Sequence, residues 1–346
     1  MNLPVGSPLT PMLAKLQSEL PQGAGWLYEP KWDGFRAIVF RDGDELEVIS
    51  RDGRPLVRYF PELPPLLSKA LPDRCVVDGE VLMAGDGTLE FDALQLRIHP
   101  AASRIKKLSE EIPASFVGFD LLALGGDDLR AVPFSARRKA LETILTETLD
   151  LDPMPPIEPL HVYLTPQTDQ HQEAVRWFDA FESIGLEGIV AKRAGDPYLS
   201  GKRAMVKVKH KRTVDCVVGG YRLGKTGDGI GALLLGLYDR AGVLHYVGHT
   251  SSFKAKERRE LLAQLKPLEG EGAFGKGRSP GGLSRWSGTR DQAWMSVRPE
   301  LVCEVSFDRM QGERFRHAAT FMRWRMDKAP RECTIDQVGA PGAPHT

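Results

Sequence analysis

Short apolar runs separated by Asp-Gly turns dominate the first 210 residues and predict strands rather than long helices. Ala37–Phe40, the turn Arg41-Asp42-Gly43-Asp44 and Leu46–Ser50 read as a hairpin. Cys75–Asp78 and Glu80–Ala84, followed by Gly85-Asp86-Gly87, read as a second pair of strands, with a turn former before Gly79 as one reading of Asp78. Phe116–Leu122, apolar but for Asp120, reads as a buried strand. Helical periodicity is clearest in Ser135–Leu149 and Gln170–Ile184, and the proline-rich Asp152–Pro159 between them must be an extended connector. Strands Glu187–Lys192 and Ala204–His210 close this α+β unit.

From about Thr213 the texture changes to short strands with glycine turns, Val214–Arg222, Gly231–Tyr238 and Val243–His249, then a helix Lys254–Leu265. That is the pattern of a small barrel. The glycine-rich Glu269–Gly282 reads as a flexible insertion in preference to a DNA-contacting loop.

A chain of 346 residues with 42% hydrophobic content is long enough for two domains with substantial cores. Its formal net charge of zero looks unsuited to a polyanion, but the distribution answers that. Lys202 to Arg212 carries six basic residues and no acid, and Arg309 to Arg331 carries seven against Glu313 and Asp327. Local cation density, not the sum, governs phosphate affinity. Cys75, Cys216, Cys303 and Cys333 form no Cys-x-x-Cys pair, so buried thiols in a reducing compartment are expected rather than a zinc site or disulfides. No stretch approaches a membrane span, and no basic start with an apolar core opens the chain; a cytoplasmic protein is expected.

The candidate chemistry starts at Glu29-Pro30-Lys31-Trp32-Asp33-Gly34-Phe35-Arg36. A lysine amine attacks only when unprotonated, so a nucleophilic lysine needs burial, a metal or neighbouring cations to depress its pKa. Asp33 lies on the same side as Lys31 if the segment is extended, and Arg36 can hold an anion bidentately. Taken alone, these eight residues fit equally well a surface lysine before an Asp-Gly turn.

Further pieces follow in order: Ser50-Arg51-Asp52-Gly53-Arg54, Asp78-Gly79-Glu80, Phe119-Asp120, Glu187 to Lys192, Lys207-Val208-Lys209 and Arg323-Trp324-Arg325-Met326-Asp327-Lys328. Together with the lysine run they resemble the ordered motifs of the covalent nucleotidyltransferases. The match is close to the ATP-dependent DNA ligases, especially the small stand-alone bacterial group often called LigC, and it extends from Thr10 to Pro330. The resemblance implies an α+β chain of two domains: an antiparallel-sheet nucleotidyltransferase (adenylation) domain at 1–212, an OB-fold β-barrel at 213–335, and a C-terminal tail at 336–346.

It also implies that Lys31 attacks the α-phosphate of ATP, that AMP passes to the 5′-phosphate of a nick, and that the 3′-hydroxyl then displaces AMP. Lys207 and Lys209, two apart on a strand, would contact the α-phosphate, though in isolation they fit a solvated basic strand face. Glu80 matches the ribose ligand, Phe119 the aromatic that stacks on adenine, and Glu29 a position near the base edge. Arg36 falls near the nucleotide, Arg203 is a further phosphate candidate, and Arg51 matches the residue at the nick phosphate. Glu187 is the expected ligand of magnesium, for which manganese is an acceptable substitute, with Glu80 a second candidate. Arg323, Asp327 and Lys328 would orient the pyrophosphate, which requires the domains to swing about His210–Asp215. Nicked double-stranded DNA is the expected partner of a monomer acting in DNA repair, with a repair polymerase or end-binding proteins as candidate associates. An RNA ligase or capping-type guanylyltransferase shares the lysine motif, and a nonenzymatic OB-fold binding module would explain the basic patches but not Lys31.

Overall fold

The computed structural model describes residues 1–85, 88–89, 91–145, 158–180, 186–210, 212–224, 226–270, 273–275, 280 and 293–338. The chain divides into two compact units, Met1–His210 and Lys211–Thr346. The boundary falls two residues before the expected one because Arg212 and Thr213 are already paired with Phe307 and Ser306.

In the first unit, one sheet runs in the order Leu13–Gln17, Arg203–Lys209, Gly188–Arg193, Trp26–Lys31. The other runs Val162–Leu164, Ser115–Leu124, Arg74–Leu82, Phe35–Asp42, Glu45–Ser50. Pairing is antiparallel except where Leu13–Gln17 meets Arg203–Lys209 and Val162–Leu164 meets Ser115–Leu124. Strand alternation decides what each face carries. Val206, Val208, Ile189 and Ala191 pack with Trp177 of helix His171–Ala180. The opposite face of that sheet contributes Met205 and Val190 to a core shared with Ile38, Phe40, Val76 and Leu122 of the second sheet. Further along the same facing surfaces the side chains turn charged: Lys207 and Lys209 follow Met205, Asp78 and Glu80 follow Val76, and Arg36 precedes Ile38. The site lies where two apolar sheet faces become polar.

Two expectations change here. Cys75–Asp78 and Glu80–Ala84 are not two strands but one, Arg74–Leu82, and Gly79 pairs with Ala37 on one side and Gly118 on the other. Asp78 is therefore no turn former; it is fully buried and accepts from Arg36 and Tyr198. The predicted helices appear as Phe134–Ile144 and His171–Ala180, while the remainder of each expected span from residue 146 and from residue 181, with most of the proline connector, lies outside the described residues.

The second unit is an antiparallel path of five strands, Leu244–Thr250, Ile230–Tyr238, Arg212–Leu223, Val302–Phe307 and Thr320–Trp324. A bridge between Thr250 and Ala319 brings its two edge strands together, closing the barrel of an OB-fold. Helix Ala255–Leu265 packs Leu261 and Leu265 into its core. Part of the glycine-rich stretch is core: the Phe274 ring fills the space beside Gly219 and Gly236. Residues 271–272, 276–279 and 281–282 of that stretch lie outside the described residues. The expected tail begins too early, since Val338 of Ile335–Val338 is buried against the barrel core. All four cysteines are buried and unpaired, with burial pushing the Cys75, Cys216, Cys303 and Cys333 thiols up. No helix among the described residues is long and apolar enough to cross a membrane.

Candidate active site

Lys31 ends the strand Trp26–Lys31, and sheet register sets its company. Across three strands Lys31 aligns with Gly188 and then Lys209, and Glu29 aligns with Val190 and then Lys207. Lys31, Lys209, Glu29 and Lys207 thus share one face. Glu187 is fixed beside them because its backbone N–H donates to the Lys31 carbonyl at 3.0 Å. Its carboxylate then ion-pairs with Lys31 Nζ and, at 2.9 Å, with Lys209 Nζ. Gly188 is needed at this crossing: its φ is +144°, and a Cβ there would lie 2.0 Å from the Val208 carbonyl.

The glycine of the lysine motif has an equally local reason. A Cβ on Gly34 would sit 2.2 Å from the Val81 carbonyl and 2.8 Å from Glu80 Cγ, so only glycine lets the lysine loop lie against the strand that carries Glu80. Glu80 is crowded accordingly. Burial pushes its carboxyl up, Lys31 and Arg36 pull it back, and the result is about 7. Burial acts on Glu187 in the same sense, but Lys31 and Lys209 outweigh it and hold this carboxyl near 2.

In the nucleotide-free chain Lys31 is not depressed. Burial does push the amine toward its neutral form, but Glu187 and Glu80 more than offset it and raise the pKa above the ordinary lysine value. Without nucleotide, Lys31 is a cation held by Glu187. The depressed lysine is Lys207, pushed down by burial and then by Lys209, Lys31 and Arg51. That influence also places Arg51 beside the cluster. It sits exposed in a tight turn in which Gly53 N–H donates to Ser50 O at 2.9 Å and Arg51 N–H donates to Arg36 O at 3.2 Å.

Three other expected ligands are engaged within the protein. Arg36 forks onto Asp78, Nε to Oδ1 at 3.0 Å and Nη2 to Oδ2 at 2.6 Å, and its guanidinium lies 5.3 Å from the Phe119 ring centre. Tyr198 donates to the same Asp78 at 2.6 Å. Glu29 accepts from Lys192 Nζ at 2.7 Å and Gln167 Nε2 at 2.8 Å. Lys192 also donates to the Phe119 carbonyl at 3.2 Å and lies 4.8 Å from that ring. Phe119 is half-buried, so part of its ring can still take a base. Arg203 stands apart: it opens its strand, exposed, roughly 20 Å of strand rise from Lys209.

No group of three or more His, Cys, Asp or Glu side chains among the described residues is arranged as a preformed metal site. One strongly ionised carboxylate, Glu187, with Glu80 nearby, fits an ion such as magnesium, which takes few protein ligands and keeps its waters.

Comparison with known proteins decides the family. Residues 11–209 match the family model described as ATP dependent DNA ligase domain, and residues 226–328 match the ATP dependent DNA ligase C terminal region. DNA ligase C1 of Mycolicibacterium smegmatis is 49% identical over 99% of this chain and 97% of its own. DNA ligase C of Mycobacterium tuberculosis is likewise 49% identical, over 99% and 96%. The chain belongs to the ATP-dependent DNA ligases. A solved Lig E DNA ligase, 18% identical, shares the fold with a TM-score of 0.54, covering 91% of this ligase and 99% of that chain.

In the ligase's second unit the last motif is tied down internally. Arg323 Nε pairs with Glu304 at 2.6 Å, Asp327 is forked by Arg325, and Lys328 Nζ reaches Asp215 at 2.8 Å. Thr213–Asp215, expected as part of a hinge, are strand residues paired with Ser306, Val305 and Glu304. Lys192 and Arg325 stood inside motifs already singled out. Gln167, Tyr198 and Asp215 carried no signal, because nothing local marks a side chain whose partner lies more than 100 residues away.

Proposed function

We propose that Lys31 is the nucleophile of this ATP-dependent DNA ligase, taking AMP from ATP and passing it to the 5′-phosphate of nicked DNA. The observation that carries the reading is the convergence at one strand end of Lys31, Lys207, Lys209 and Arg51 with Glu187 and Glu80, an anion-binding cluster around one amine. Lys31 Nζ loses its proton and forms the bond to the α-phosphorus as the bond to pyrophosphate breaks. An oxygen of the 5′-phosphate then displaces the Lys31 nitrogen, and the 3′-hydroxyl displaces AMP. Lys207 and Lys209 offset the charge that grows on the phosphate oxygens.

Burial already favours the neutral amine, so Lys31 becomes reactive once the charges of Glu187 and Glu80 are taken up by other partners. Glu187, with Glu80, would hold magnesium or manganese, whose contribution is to neutralise phosphate charge. Phe119 would stack on the base, with Glu29 at its edge and Glu80 at the ribose. Arg36 acts through Asp78 and Phe119 more than on phosphate, and Arg203 is not carried forward. Arg51 would meet the nick phosphate, and Arg323, Asp327 and Lys328 the pyrophosphate.

Incubation with labelled ATP and magnesium, denaturing electrophoresis and peptide mass spectrometry should find one AMP on Lys31. Lys31→Ala should show none; undiminished labelling of that variant would overturn the assignment. Labelling from GTP in preference to ATP would favour a capping-type enzyme.

A further inference from the structure

Asp215 lies on the first strand of the barrel, Arg212–Leu223, five residues past His210, where the first unit ends, its backbone fixed opposite Glu304. Its buried carboxylate takes Arg325 Nη1 on both oxygens at 2.9 Å and Lys328 Nζ on Oδ2 at 2.8 Å. The remaining edge of the Arg325 guanidinium is forked onto Asp327 at 3.0 and 2.9 Å. From the other side Gln337, on the short helix Ile335–Val338, accepts from Lys328 Nζ at 3.3 Å and donates to the Asp215 carbonyl at 3.3 Å. An ammonium has three donors, so Asp215 and Gln337 occupy two and leave the third direction for an outside acceptor.

We propose that Asp215, seconded by Gln337, is a positioning residue for adenylylation: a fixed anion that orders Lys328 before ATP brings in the pyrophosphate leaving group. The inference rests on the reading that Lys328 serves the pyrophosphate. A lysine on a long flexible stem loses rotamer freedom when it binds a phosphate; one already clamped has lost it on folding and binds with less cost. Asp215 cannot yield its place, because strand pairing holds its backbone. The clamp is also charge-balanced, with Arg325 and Lys328 against Asp215 and Asp327, so Lys328 keeps its direction without becoming part of an open cation patch.

The test is step-resolved. Asp215→Asn keeps the shape and removes the charge; the full-length variant should form lysyl-AMP roughly tenfold more slowly at subsaturating ATP, with raised KM for ATP and for pyrophosphate in the reverse reaction. Joining of a preformed nicked DNA-adenylate, a step with no pyrophosphate, should change less than about twofold. Equal losses in both steps would mean that the pair merely supports the barrel, and would overturn the proposal, as would unchanged adenylylation. Gln337→Leu should show the same split more weakly and decides the matter if Asp215→Asn fails to fold. Lys328→Ala separates the two ideas. If it spares adenylylation, the assignment of Lys328 itself fails; if it harms adenylylation while Asp215→Asn does not, only the positioning inference fails.

Discussion

Glu187 in the first unit and Asp215 in the second are each a carboxylate gripping two cations, yet they are built for opposite ends. Asp215 sits mid-strand, and its cations are matched by Asp327, with Gln337 closing the clamp. Glu187 stands just ahead of a strand, before a glycine, and faces Lys31 and Lys209 with Lys207 and Arg51 adding positive charge. The first arrangement is closed and rigid. The second has cations in excess and the proposed nucleophile as one of its partners, so an incoming polyphosphate can replace the carboxylate as counterion. Charge balance, more than the number of ion pairs, separates a scaffold from a reacting site.

The comparison breaks most visibly at Glu187. Glu187→Gln leaves Lys31 and Lys209 without their shared anion, and adenylylation should fall roughly a hundredfold or more if that carboxylate serves the transition state. The Lys31 pKa should drop at the same time, since Glu187 is the first of the groups raising it. Faster reaction of Lys31 with an amine reagent at pH 8, alongside lost adenylylation, is the expected pair of results. Adenylylation at the wild-type rate would reduce Glu187 to a structural ion pair with no part in the reaction.

Arg51 gives the next largest effect. It is exposed and forms no ion pair with any described residue, so a phosphate contact there is not discounted by an internal partner. A charge-assisted contact of about 1.5–3 kcal/mol corresponds to roughly ten- to a hundredfold in rate. Arg51→Ala should lose that factor in AMP transfer to nicked DNA and less in lysyl-AMP formation, with Arg51→Lys recovering part. Single-turnover assays with ATP alone, then with adenylylated enzyme and nicked DNA, separate the steps; equal damage to both would move Arg51 into the nucleotide site.

The smallest effect is on stability and sharpens the electrostatic half of the comparison. Glu80 holds its proton up to about pH 7 in the folded chain against an ordinary 4.5, so folding is favoured by protonation. Its contribution is full below about pH 4.5 and is lost as pH rises through 7. In nucleotide-free, metal-free buffer, Glu80→Gln should gain on the wild type between pH 5 and 8, by on the order of 1–3 kcal/mol at the upper end. Thermal unfolding across that range reads it. A pH-independent difference would mean that Lys31 and Arg36 fully compensate the burial of Glu80.

Much of this was legible along the chain because it is periodic or local. The hairpin around Gly43, the strands carrying Phe119 and Lys207, and the small barrel after residue 212 follow from the apolar runs and from turn residues. The ordered motifs marked the residues that come together in the charged cluster around Lys31. What failed were readings in which a local rule met a tertiary one: Asp78-Gly79 has the chemistry of a turn, but pairing with strands on both sides and the Arg36 and Tyr198 contacts keep it straight. The charge state of Lys31 belongs to the same class. A motif specifies which residue stands at a position; its pKa depends on Glu187, 156 places away, and on Glu80, which sheet register alone brings near. The sequence by itself determined most of the strands, the barrel and the identity of Lys31's neighbours in the chain. Only the tertiary structure decided which charges face one another, because Coulomb energy and desolvation depend on distance in space, and pairing across a sheet makes that distance independent of separation along the chain.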